Sequence, residues 1–254
     1  MNMQGQSAIV TGGGSGLGEA VARALAAQGT KVAVLDVNDD GAQRVAADIG
    51  GLGLRCDITD SDSVTAALDA ASAAHGVPRI VMNIAGIGTA RRIVGKDGQA
   101  APLADFERVI RVNLIGTYNV ARLSAARIVA LEPMTDGERG VMVNTASVAA
   151  FDGQVGQEAY SASKGGIVGM TLPMARDLAQ WGVRVCTIAP GLFATPLMQQ
   201  LPEAVQQSLA ASIPFPKRLG QPEEFASLAL EIVRNVHLNG EVIRLDGALR
   251  MAPR

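Results

Sequence analysis

Short runs rich in β-branched residues alternate along the chain with longer, Ala-rich stretches of helical period. Ser7–Val10 reads as a strand, and Gly16–Gln28 as a helix stopped by Gly29. Lys31–Leu35 is a second strand, Asp40–Ile49 a helix, and a short strand falls around Leu54. Asp60 is placed to cap a helix over Ser61–Ala74. Arg79–Asn83 is the fourth strand, followed by a continuous helical pattern over Leu103–Ala130. Gly140–Thr145, Val183–Ile188 and Glu241–Leu245 complete seven strands, with helices over Ala159–Gln180 and Glu223–Arg234 between them.

This alternation predicts an α/β fold: a single Rossmann-type, doubly wound, parallel seven-stranded sheet with helices on both faces, spanning 1–254 as one domain. Ligands of such sheets lie beyond the carboxyl ends of the strands. Two irregular stretches begin at such ends and are expected to wall a substrate pocket: Gly88–Pro102, and Gly191–Gly220 with four prolines.

Composition narrows the picture. Hydrophobic residues make up 48% and aromatics only 3%, so the core must be built from Ala, Val, Ile and Leu. The 22 basic and 24 acidic residues are well mixed, for a formal net charge of −2. No basic stripe marks nucleic-acid binding. Cys56 and Cys186 form no CxxC and read as small buried hydrophobes, and no metal site is expected. No apolar run approaches the ~18 residues that span a bilayer. The amino-terminal stretch is short and polar, so no membrane partner is expected and the protein reads as cytoplasmic.

The first chemical signal is Thr11–Gly18, which joins the first strand to the first helix with glycines spaced GxxxGxG at Gly12, Gly16 and Gly18. Glycines let the backbone approach a pyrophosphate, and the helix N-terminus offers free N–H groups. No Lys follows, which removes the ATP-type phosphate loop. Asp36, after the second strand, is placed to accept hydrogen bonds from ribose hydroxyls and to repel a 2′-phosphate. Neither Ser15 nor Val37, the two obvious places for a compensating cation, carries one. The expected cofactor is therefore NAD. Asp57 after the third strand can reach the adenine edge or simply cap a turn, and Asn83-Ile84-Ala85-Gly86 after the fourth presents small residues to a flat ligand.

The second signal is Tyr160-Ser161-Ala162-Ser163-Lys164. Tyr160 and Lys164 share one helix face. A phenol is a poor base at its reference pKa of ~10, and a neighbouring ammonium and an oxidised nicotinamide both favour the phenolate. Ser147, ending the fifth strand, can hold a substrate oxygen in line with that phenol. Asn113 is unfavourable in mid-helix, so it is expected to have a task such as holding a water that relays protons toward Lys164. Ser161 and Lys164 also satisfy the SxxK spacing of an acyl hydrolase, but the companion SDN and KTG sequences are missing. A non-catalytic NAD-binding scaffold is the remaining alternative.

Taken in order, Thr11–Gly18, Asn83–Gly86, Asn113, Ser147, Tyr160, Lys164 and Pro190-Gly191 with Thr195 resemble the short-chain dehydrogenase/reductase family. Within it, Val143–Phe151, Gly153–Gln157, Tyr160–Pro173, Ala189–Phe193 and Leu238–Ala248 resemble the type-2 3-hydroxyacyl-CoA dehydrogenase subgroup, related to hydroxysteroid dehydrogenases. The resemblance implies Tyr160 as proton carrier, Ser147 on the substrate, and Lys164 on the ribose. It implies NAD contacts at Ser15, Leu17, Asp36, Asp57, Ile58, Ile84, Phe193 and Thr195, with Pro190 in the same loop. It also implies an acyl-CoA substrate beside Gln154 and Gln157, and a homotetramer with Val242–Arg254 near a subunit contact. A 3-oxoacyl-ACP reductase is the competing member, opposed by Asp36 because NADPH is its usual partner.

Overall fold

The computed structural model describes residues 1–88, 90–199 and 202–253; of Leu197 and Gln199 the backbone alone is described. Among these residues seven strands form one sheet in the order β3-β2-β1-β4-β5-β6-β7, every pairing parallel. They are β1 (Ser7–Thr11), β2 (Lys31–Asp36), β3 (Leu52–Arg55), β4 (Ile80–Asn83), β5 (Gly140–Thr145), β6 (Val183–Pro190) and β7 (Val242–Leu245).

Alternation within the strands explains why both faces are covered. Val10, Val34, Met82 and Val143 point to one face and pack with Leu25 and Phe225 of the helices α1 (Gly16–Ala27) and α9 (Pro222–Arg234). Ile9, Leu35, Val81 and Met142 point to the other and pack with residues such as Leu68, Val120 and Ala175. These come from α3 (Ser61–His75), α5 (Thr117–Ile128) and α6 (Glu158–Ala179). A strand buried on both sides needs apolar residues at every position, which is why these runs lack a polar alternation. Helix α2 (Asp39–Ile49) is capped by Asn38, whose side chain accepts from Gly41 N, and α3 by Asp60, as predicted. Both cysteines are buried and free.

Two expectations change. The long helix predicted over Leu103–Ala130 is α4 (Leu103–Ile110), a π-helical turn Arg111–Gly116, and α5. A single π turn of six residues is too short to show a period of its own, so the pattern on either side still reads as one helix. The stretch Gly191–Gly220 is not wholly irregular: it holds α7 (Pro196–Gln199) and α8 (Glu203–Ala211). Pro196 opens the first and Pro202 precedes the second, so prolines that read as breakers here start helices. Gly88–Pro102 has no helix among its described residues and is pinched by an isolated antiparallel bridge, Val94 to Ala100.

The strand order reverses direction between β1 and β4. Chains leaving these two strands diverge, and the crevice between them is where the sheet can admit a ligand.

Candidate active site

A cleft of about 510 Å³ opens at that crevice. Gly12, Ser15, Gly16, Leu17 and Gly18 line it from the β1–α1 turn. Gly12 (φ 65°) and Gly16 (φ 54°) occupy the left-handed region, where a side chain is strained. A Cβ on Gly12 would stand 2.8 Å from Ala85 Cα, and one on Gly18 would collide with the Gly12 carbonyl oxygen. The turn thus requires glycine for conformation and for packing.

The remaining walls come from other strand ends. Asp36 sits at the end of β2; its Oδ2 accepts from Gly14 N at 3.0 Å and its Oδ1 from Asn38 N at 3.0 Å. Asp57 and Ile58 follow β3. Asp57 lines the cleft, and its Oδ1 accepts from Thr59 N and Thr59 Oγ1 to shape the turn. Ile84, Ala85 and Gly86 follow β4, and Thr195 closes the cleft from beyond β6. Glycines at the start of a helix, a carboxylate one strand away and a flat apolar floor fit the diphosphate, ribose and bases of a dinucleotide.

Five residues in the sequence-predicted cofactor set lie outside this lining: Tyr160 and Lys164, both on α6, and Asn83, Pro190 and Phe193. Asn83 is buried and donates from Nδ2 to Asn144 Oδ1 at 2.9 Å, joining β4 to β5. Pro190 is the last residue of β6. The Phe193 ring turns into the core, edge-on to Phe225 with centroids 6.3 Å apart.

The cleft meets a second group of side chains at Gly86. A Cβ there would lie 3.2 Å from Asn113 Oδ1 and 3.4 Å from Lys164 Nζ. Tyr160 lies near the start of α6, Lys164 one turn on, with its Nζ 5.8 Å from the Tyr160 ring centroid. The Ser147 hydroxyl is the phenol's side-chain hydrogen-bonding neighbour and also accepts from Ala149 N at 3.1 Å. Burial pushes the Tyr160 pKa up, against the expectation of an acidified phenol, and Ser147 works in the opposite direction. Lys164 is fully enclosed; it donates to the Thr145 carbonyl at 2.7 Å, and burial takes its ammonium down to about 8.

Asn113 lies in the π-helical turn with three protein partners for its amide. Oδ1 accepts from Ile87 N at 2.8 Å, while Nδ2 donates to Ile87 O at 2.9 Å and to Ser163 Oγ at 3.0 Å. Ser163 then donates to the Tyr160 carbonyl at 2.8 Å. The amide ties the cofactor-side loop to the tyrosine helix, because the π turn aims it between the two. Its own carbonyl accepts from Thr117 Oγ1 at 2.7 Å.

Ser163 and Thr11 were not predicted as site residues. Thr11 Oγ1 donates to Met82 O and accepts from Ile84 N and Ala85 N, fixing the loop after β4. Both lie inside the two motifs already singled out, but their partners, Ile84 and Ala85 for Thr11 and Asn113 for Ser163, are distant in sequence, so only coordinates give them these tasks. The SxxK pair is not formed: Lys164 faces Thr145, and the buried Ser161 Oγ has no partner among the described residues.

Gln154 and Gln157, expected beside the substrate, engage each other and the end of the chain. Gln154 N donates to Gln157 Oε1 at 3.1 Å and Gln154 Nε2 to Ala252 O at 2.9 Å. Val155 N donates to Pro253 O at 3.1 Å. The Gly88–Pro102 loop reaches the same place, with Arg91 N donating to Gly156 O at 2.7 Å.

A family model described as short chain dehydrogenase matches residues 6–206. The 3-hydroxyacyl-CoA dehydrogenase type-2 of Bos taurus is 53% identical over 259 residues, covering 99% of this chain and 98% of that protein. The crystal structure of 3-hydroxyacyl-CoA dehydrogenase type-2 from Mycobacterium avium has a TM-score of 0.95 at 47% identity, covering 98% of each chain. That of 3-ketoacyl-(acyl-carrier-protein) reductase from Brucella melitensis complexed with NADH has a TM-score of 0.87 at 30% identity, covering 98% of this chain and 100% of the other. With the matches running from the glycine turn through Tyr160 and Lys164, this chain belongs to the short-chain dehydrogenase family.

Proposed function

We propose that this oxidoreductase uses NAD to interconvert a secondary alcohol and a ketone, with a 3-hydroxyacyl-CoA and its 3-oxoacyl-CoA as the pair. The observation that carries the chemistry is the Tyr160 phenol beside the Ser147 hydroxyl, with the Lys164 ammonium behind it, at the inner end of the glycine-lined cleft. The dinucleotide, when bound, supplies the hydride acceptor or donor. Gly12, Ser15, Gly16, Leu17 and Gly18 would hold its diphosphate, Asp36 its adenosine ribose, and Asp57 and Ile58 its adenine. Ala85, Gly86, Thr195 and Lys164 would flank the other half.

The protein's own part is to place and protonate one oxygen. Ser147, fixed by its bond from Ala149 N, holds the substrate oxygen. Tyr160 removes the hydroxyl proton on oxidation and returns it on reduction. Lys164 sets the field at the phenol and, one helical turn away, is held there by Thr145 O. Asn113 and Ser163 keep that turn in register with the cleft.

Acyl-CoA as substrate is supported by the named activities of the two relatives near 50% identity. NAD is supported by Asp36 and by the NADH in the reductase from Brucella melitensis. Apolar side chains exposed on α4, on the adjoining π turn and α5, and on α6, including Phe106, Ile115, Tyr118 and Leu172, support a homotetramer. Light scattering at four chain masses would agree with it, and a single chain mass would remove it. Among the described residues no helix is long and apolar enough to cross a membrane.

The test is NADH absorbance with 3-hydroxyacyl-CoAs, acyl-ACPs, hydroxysteroids and plain secondary alcohols. Acyl-CoAs should be turned over fastest, and Tyr160→Phe should lower kcat by ~10³-fold while NADH still binds. Equal rates on plain alcohols would sink the acyl-CoA assignment. Unchanged turnover in the variant would leave a binding scaffold with background reactivity.

A further inference from the structure

An ion-pair cluster sits on the outer side of the glycine turn, and the dinucleotide reading makes no use of it. Arg44 of α2 donates from Nη2 to the Gly14 carbonyl at 3.0 Å. It also grips Glu19 of α1 in a fork, Nη1 to Oε1 at 3.0 Å and Nη2 to Oε2 at 2.7 Å. Glu19 Oε1 accepts from Arg23 as well, and Arg23 reaches Asp48 at 2.6 Å. These four side chains carry two positive and two negative charges, so the cluster is neutral.

Its position is what matters. Asp36 accepts from Gly14 N, and Arg44 donates to Gly14 O. The acid that would select ribose hydroxyls and a guanidinium therefore hold opposite ends of one glycine. A 2′-phosphate would project toward Asp36, which places it near a cation that neither Ser15 nor Val37 supplies. Arginine is well suited to phosphate, because its fork offers two parallel charge-assisted hydrogen bonds. Here Glu19 already occupies that fork.

We propose that Glu19 is a specificity-determining residue: by holding Arg44 with both carboxylate oxygens it withholds that guanidinium from a 2′-phosphate, and so acts with Asp36 in selecting NAD over NADP. The inference rests on the dinucleotide reading of the cleft. It separates two effects that the sequence would merge. Asp36 repels the phosphate directly. Glu19 neutralises the cation that would otherwise attract it.

The experiment is titration of nicotinamide fluorescence with NADH and NADPH on the full chain, in the wild type and in Asp36→Ala, Asp36→Ala/Glu19→Gln and Asp36→Ala/Glu19→Gln/Arg44→Gln. Asp36→Ala should tighten NADPH binding by relieving repulsion. Adding Glu19→Gln should lower the NADPH Kd a further ~10-fold, and adding Arg44→Gln should cancel that gain. The gain should also shrink at high salt. The single variant Glu19→Gln, with Asp36 intact, should shift the NADPH-to-NADH affinity ratio the same way and serves if the double variant fails to fold. An unchanged NADPH Kd on adding Glu19→Gln, or a gain that survives Arg44→Gln, overturns the proposal. A wild type that binds neither nucleotide overturns the dinucleotide reading itself, which is a different result from NADH binding with no effect of Glu19.

Discussion

Lys164 shows how much one buried group can cost and why it stays. Its ammonium has the Thr145 carbonyl as hydrogen-bond acceptor and is fully enclosed, so desolvation takes its pKa down to about 8. In the unfolded chain the same group titrates near ~10.4. Between those values the unfolded chain holds a proton that the folded one lacks, so this group makes stability rise with pH across that window. Lys164→Met removes the dependence. The stability gap between wild type and variant should therefore move toward the wild type by ~3 kcal/mol from pH 7 to pH 10.5. Urea unfolding at stepped pH reads this directly, and packing differences cancel because they do not titrate. Parallel curves for the two proteins would mean the ammonium is not desolvated. At this scale the sequence singled out residues that the fold brings together, because tyrosine, lysine and serine at fixed spacing have few other reasons to co-occur. It was silent on their electrostatics. An i,i+4 lysine suggested an acidified phenol, whereas burial raises Tyr160, because desolvation depends on neighbours distant in sequence.

Elements were the most legible level where hydrophobic period and caps agreed. Gly140–Thr145 coincides with the predicted strand, and α3 begins at the predicted cap. The π turn at Arg111–Gly116 and the helix Glu203–Ala211 were not legible, the first because it changes hydrogen bonding rather than pattern, the second because flanking prolines masked it. Glycines within elements divide in the same way. A Cβ at Gly18 meets the Gly12 carbonyl oxygen, while one at Gly165 in α6 meets nothing within 4 Å. Gly18→Ala should thus weaken NADH binding by about 10–100-fold, from the ~1–3 kcal/mol cost of overpacking a fixed turn. Gly165→Ala should instead raise stability by ~0.5–1 kcal/mol through helix propensity. Fluorescence titration and thermal melting of the pair check both. Equal NADH affinity in Gly18→Ala would show that the turn yields, and that its glycines serve flexibility alone.

Across the whole molecule, the loop between Ser147 and Tyr160 is held by the last strand, a relation that no local pattern announces. Arg244 of β7 pairs with Asp152 at 2.5 Å and Asp246 at 2.8 Å, donates to Leu249 O at 3.0 Å, and lies 5.2 Å from the centroid of the Phe151 ring. Phe151 and Asp152 belong to that loop, so one guanidinium joins it to the end of the chain. Its effect on Asp152 is direct: the guanidinium holds that carboxyl below its ordinary range. The glycine-lined cleft, walled by the ends of β1 to β4 and by Thr195 and Pro196 beyond β6, does not touch this junction. Arg244→Gln should accordingly raise KM for the acyl substrate by ~10-fold, the scale of losing a charge-assisted pair, while the NADH Kd stays within about twofold. Arg244→Lys keeps the charge but not the fork and should recover only part of the loss. A loss that fell equally on NADH and substrate would make Arg244 a general support of the fold. A loss confined to substrate would place acyl recognition in the loop it holds, between Ser147 and Tyr160.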